Sequence, residues 1–118
     1  MEEGRPIFLQ VAELLENSIL DGTLAEEGQV PSTNELAAFH RINPATAAKG
    51  VNQLVDDGTL YKKRGIGMFV SPGARAKLRS RRRDEFARQY VQPLLAEARK
   101  LGIDPAELKH MIDTWGEH

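Results

Sequence analysis

Apolar positions recur along this chain at a helical period, then briefly at a strand period, then at a helical period again. Phe8, Val11, Ala12, Leu15 and Ile19 fall three and four residues apart. They predict a first helix opened by Pro6 and stopped by Gly22. LAEEGQ after it reads as a turn-rich connector. In VPSTNELAAFHR, Ser32 followed by Glu35 is a capping box. It predicts a second helix from residue 32 to 40 or 41, with Leu36, Ala37 and Phe39 inward. INP follows at once. Asn43 suits an N-cap and Pro44 a first helical position, so a third helix is expected over 44–57. Val51, Leu54 and Val55 form its buried side, and Gly58 ends it.

Residues 59–63 and 68–71 then read as two short strands, with Arg64, Gly65, Ile66 and Gly67 at the tip of a tight hairpin. A long helix is expected from residue 74, striped by Leu78, Phe86, Tyr90, Val91, Leu94, Leu95, Ala98 and Leu101. Pro93 lies inside that pattern and predicts a kink. Gly102 stops the helix, and Asp104, Pro105 and Glu107 restart one. Leu108, Met111, Ile112 and Trp115 then fall at i, i+3, i+4 and i+7.

Three helices and a hairpin, the second and third helices joined by a very short turn, is the order of a winged helix-turn-helix. The expected fold is mainly α with a small β-hairpin: a winged helix-turn-helix domain over 1–73 and a helical tail over 74–118. In that motif the later helix leads into the major groove with its N-terminal residues. The third helix starts unusually thin, because Pro, Ala, Thr, Ala, Ala, Lys and Gly fill residues 44–50. A narrow end fits against base edges, where alanine methyls meet thymine methyls and unpaired amides favour phosphate. A small-residue end also suits close packing on another helix. Ser32, Asn43, Thr46, Lys49 and the adjoining basic hairpin favour DNA.

Charge strengthens that reading. The net charge is −1, but residues 1–59 carry three Lys/Arg against ten Asp/Glu, and residues 60–88 carry ten against two. A concentrated basic belt points to an anionic polymer. Lys62, Lys63 and Arg64 flank Gly65, where cations neutralise phosphate and release counterions. Arg79, Arg81, Arg82 and Arg83 suit either phosphate contact or a solvated helix face. The 118 residues suit about one domain. No run of about eighteen apolar residues spans a membrane. MEEGRPIFLQ lacks the apolar core of a signal peptide. There is no cysteine, and His40, His110 and His118 are scattered. The expectation is a cytoplasmic protein with no catalytic site, cofactor or metal.

PIFLQ, G-T-L, VPSTNELA, NPATAAKG and LYKKRGIGMFV, in this order over residues 6–70, resemble the GntR family of bacterial transcription regulators. The short helical tail is similar to the YtrA-like subfamily. The resemblance implies a homodimer that binds a palindromic operator and usually represses, often beside genes for ATP-binding cassette transporters. It places Ser32, Thr46, Lys49, Arg64 and Gly65 at DNA; Thr33, Asn34, Asn43, Ala45, Lys62 and Lys63 complete the expected contact set. The family commonly has arginine where this chain has Asn34 and Ala48. Arginine–guanine pairing is the commonest specific contact, so an operator richer in A·T is expected. The tail is too short to bury its own stripe. Phe86, Tyr90, Leu94, Leu101, Met111 and Trp115 are therefore expected at a two-fold dimer interface. A small-molecule effector is left open. The rival expectation is a winged-helix protein-interaction module that does not bind DNA.

Overall fold

The computed structural model describes residues 4–117. Among them run helices α1 (Ile7–Leu20), α2 (Thr33–His40) and α3 (Pro44–Asp56), strands β1 (Leu60–Lys63) and β2 (Gly67–Val70), and helices α4 (Ala74–Phe86), α5 (Gln92–Lys100) and α6 (Pro105–Gly116). His118 lies outside the described residues. The chain divides into two compact units inside α4, one ending at Arg79 and the other starting at Ser80.

The first unit is mostly helical with one antiparallel hairpin. Its core gathers Val11, Ala12, Leu15 and Ile19 from α1, Leu36 and Ala37 from α2, and Ala47, Val51 and Leu54 from α3. Leu60, Val70, Ala74 and Leu78 close it. Each large aliphatic side chain fully buried here contributes about 1.5–3 kcal/mol. The start of α4 therefore belongs to this core. Arg75 adds a polar tie, its Nε donating to the Leu20 carbonyl at 3.1 Å, one of the orphan carbonyls at the end of α1.

The caps form as the sequence predicts. The Glu35 amide donates to Ser32 Oγ at 3.1 Å, and the Ser32 amide donates to Glu35 Oε1 at 3.1 Å. The Ser32 amide first, and the Ser32 hydroxyl after it, hold the Glu35 carboxyl below its ordinary range. Between α2 and α3, Ile42 N–H reaches Ala37 O and Arg41 N–H reaches Ala38 O. That is a Schellman end with Arg41 at the left-handed position, φ +55°, where glycine is usual.

Three sequence expectations need correction. Phe39 is not inward but 82% exposed. Leu36 and Ala37 take the inward arc of α2, and two residues past Ala37 is more than half a turn round the helix. The Phe39 ring meets His40 edge-on at 5.0 Å and lines an open groove of about 500 Å³ with Leu14, Leu24 and Leu36. The connector before α2 is also more than a turn. Val30 N–H donates to Met68 O, Glu27 N–H to Val70 O, and Val70 N–H to Gly28 O. A Gln29–Phe69 bridge thus adds a third, very short edge to the β1–β2 pair.

The third correction lies in the second unit. Instead of a simple kink at Pro93, a π turn runs over Ala87–Val91, and Gln92 N–H reaches the Ala87 carbonyl five residues back. Proline has no N–H for the Gln89 carbonyl and its ring crowds that oxygen. Widening the preceding turn by one residue relieves both. Gly102, φ +71°, ends α5 in a second Schellman turn, with Ile103 N–H on Ala98 O. Asp104 caps α6 through the Glu107 amide at 2.8 Å. Ala98 and Leu108 are the buried apolar residues described in this unit.

Candidate nucleic-acid interface

Two faces of α3 explain its thin start. Ala47, Gly50, Val51 and Leu54 are buried. At Gly50 a Cβ would stand 2.6 Å from the Phe8 carbonyl oxygen and 3.1 Å from Val11 Cβ. Gly50 is small because α1 crosses there, and Ala47 is fully buried in the same core, so the packing explanation holds for that face. The other face carries Ala45, Ala48, Lys49 and Asn52, spaced i, i+3, i+4 and i+7. Ala45, Lys49 and Asn52 are exposed, while Ala48 and Thr46 are half-buried. Asn52 was not singled out from sequence, although its spacing from Ala45 and Lys49 was legible.

The helix end differs from expectation in one respect. Pro44 has no amide, Ala45 N–H donates to Asn43 Oδ1 at 2.7 Å, and Thr46 and Ala47 donate to the Asn43 carbonyl. The first-turn amides are spoken for. What the end offers an anion is the positive pole of the helix, not open donors. The Asn43 side-chain amide keeps its NH2 donors, because the cap uses only the oxygen. Ser32 accepts the Glu35 amide with its oxygen, and its hydroxyl also bonds the Glu35 carboxyl. Asn34 is exposed and Thr33 half-buried on the first turn of α2.

The hairpin alternates as a strand pair does. Leu60 faces Val70 and Lys62 faces Met68, while Tyr61 faces Phe69 and Lys63 faces Gly67. Tyr61 and Phe69 stack at 5.8 Å. Ile66 N–H closes a turn on Lys63 O, with Gly65 at φ +76° in the third position, as a type II turn requires. Gln29 braces the tip, its Nε2 donating to the Ile66 carbonyl at 3.1 Å. The same nitrogen lies 2.7 Å from where a Cβ on Gly67 would sit. Lys62, Lys63, Arg64 and Ile66 are exposed around this tip.

The basic belt is partly used by the protein itself. Arg75 turns to the end of α1, and Arg81 pairs with Glu85 at 3.6 Å. Along the tail, Phe86, Tyr90, Leu94, Leu101, Met111 and Trp115 are all exposed in the single chain, Trp115 at 79%. Phe86 and Tyr90 pair at 5.6 Å. Among the described residues no three His, Cys, Asp or Glu side chains gather as a metal site would need, and no helix is long and apolar enough to cross a membrane.

Comparison with known proteins agrees with this geometry. The chain is 27% identical over 107 residues to the HTH-type transcriptional repressor YtrA of Bacillus subtilis, covering 91% of this chain and 82% of that protein. A crystal structure from Bacteroides thetaiotaomicron, assigned to the GntR family, is 32% identical and superposes with a TM-score of 0.79, covering 94% of this chain and 96% of that one. The DNA-binding domain of AraR, solved in complex with operator ORE1, is 31% identical with a TM-score of 0.55 over 57% of this chain and 82% of that one. The family model for the bacterial regulatory proteins of the gntR family matches residues 8–70, the span from α1 to the end of the hairpin. The chain belongs to that family of DNA-binding transcriptional regulators.

Proposed function

We propose that this protein is a repressor that acts in the cytoplasm and binds a palindromic operator as a homodimer. In this reading residues 1–73 carry the DNA contacts and residues 74–118 the dimer contacts. The observation that carries it is the two-faced α3. One side is shaped by α1, and the other presents Ala45, Lys49 and Asn52 to solvent beside a basic hairpin. Asn43, Ala45 and Thr46 lead into the major groove. Ser32, Thr33 and Asn34 at the start of α2, Lys49 on α3, and Lys62, Lys63, Arg64 and Gly65 on the wing steady the duplex. The exposed stripe from Phe86 to Trp115 supplies the two-fold contact, as apolar area of this size on a short tail needs cover. AraR on its operator and YtrA as a repressor support the same reading, and a transporter operon is the target implied by the subfamily resemblance.

The test is binding to mixed-sequence duplex DNA across a salt series. Affinity should fall as salt rises, with a slope of about −0.9 per phosphate neutralised. Lys49→Ala with Arg64→Ala should flatten the slope by about two contacts while the dimer persists in sedimentation. Binding absent at every salt concentration would instead favour a protein-interaction module.

A further inference from the structure

We infer that Phe8 and Phe69 are positioning residues of the DNA interface, their rings holding the ammonium groups of Lys49 and Lys63 ready for phosphate. This rests on the DNA-binding reading of α3 and the wing. Lys49 Nζ lies 4.1 Å from the centre of the Phe8 ring. Lys63 Nζ lies 4.5 Å from that of Phe69 and 5.8 Å from that of Tyr61. Both rings belong to elements other than those of the lysines they hold, α1 for Lys49 on α3 and β2 for Lys63 on β1.

The rings are themselves fixed. The Phe8 backbone packs against α3, its carbonyl oxygen 2.6 Å from where a Cβ on Gly50 would stand. Phe69 is paired with Tyr61 across the hairpin and with Gln29 on its other edge. A lysine in water samples many rotamers and loses that freedom when it grips a phosphate. An aromatic face attracts the ammonium and narrows those rotamers in advance. The ring occupies one side of the ammonium only. Its outward hydrogens remain available, and both lysines are exposed. Such pre-ordering raises affinity without adding a phosphate contact.

Double-mutant cycles on the full chain test this, with anisotropy of a fluorescent mixed-sequence duplex as the readout. Phe8→Leu and Phe69→Leu should each weaken binding about two- to five-fold, the range of an exposed cation–ring contact. The salt slope should stay as in the parent, because no phosphate contact is lost. Lys49→Met and Lys63→Met should each lower the slope by about 0.9. On those Met backgrounds the Phe→Leu losses should vanish. Phe8→Tyr and Phe69→Tyr keep the ring and should bind like the parent, which separates ring chemistry from a damaged fold. Equal losses with and without the lysine, or no loss from Phe→Leu, overturn the inference. Lys→Met variants that leave both affinity and slope unchanged would overturn the interface reading itself, and this inference with it.

Discussion

Replacing Gly50 by alanine reverses the usual rule for a helix interior. By helix propensity alone the change stabilises by about 1 kcal/mol. Here the new Cβ would meet the Phe8 carbonyl oxygen at 2.6 Å, Val11 Cβ at 3.1 Å and Val11 Cγ1 at 3.3 Å. A carbon rests against such an oxygen at about 3.3 Å or more, so α1 and α3 must part by roughly 0.7 Å. The nearest obstacle is backbone, and no rotamer change removes it. A gap of that size forfeits about a quarter to a half of each dispersion contact across the seam. Val11, which the new Cβ meets, is 1% exposed and shares one core with Ala47 and Val51. Overpacking of this kind costs about 1–3 kcal/mol. After the propensity gain, Gly50→Ala should be destabilising by up to about 2 kcal/mol. Urea unfolding followed by circular dichroism, at one fixed protein concentration, measures it as a lower midpoint at similar slope. A raised midpoint would refute the reasoning. It would mean that α1 does not dictate the small residues on the inner face of α3.

Other consequences follow from the caps and the wing. Arg41→Gly should stabilise by about 0.5–1 kcal/mol, since glycine adopts φ +55° without the penalty that arginine meets there; thermal unfolding checks it. Ser32→Ala should lower stability by about 1 kcal/mol through the lost cap. Glu35, whose carboxyl is held below its ordinary range when folded, stabilises above the unfolded value of about 4.3. That contribution disappears as pH falls through the folded value. The stability difference between the parent and Glu35→Gln, followed over an acid titration, should therefore shrink below about pH 4. Gly67→Ala places a side chain at φ +145° and 2.7 Å from Gln29 Nε2. It should weaken DNA binding by disturbing the wing tip while α1–α3 keep their helical circular dichroism.

Much of this architecture was legible because local signals and global packing agree. Ser32 with Glu35, and Asn43 with Pro44, mark helix starts through backbone donors that any context would leave unsatisfied. The glycines of the hairpin tip sit where a turn needs positive φ. What escaped sequence reading depends on partners distant in the chain. Gln29 pairs with a strand forty residues on, and its one buried neighbour, Val30, is too weak a strand signal by itself. An apolar Phe39 reads as inward because apolar residues usually are, yet α2 is short and Leu36 and Ala37 already fill its core arc. Gly50 looked like part of a DNA-facing taper, but its cause is the Phe8 carbonyl of another helix. The rings under Lys49 and Lys63 are of the same kind, contacts that only the assembled fold creates.

The central claim is that α3 and the hairpin read duplex DNA as a symmetric pair. Selection of bound sequences from random duplexes with the purified full chain tests it most directly. Two inverted half-sites should be enriched, their centres about one helical turn of 10–10.5 base pairs, or a multiple of it, apart. Recovery of no motif, or of one asymmetric site, would contradict it.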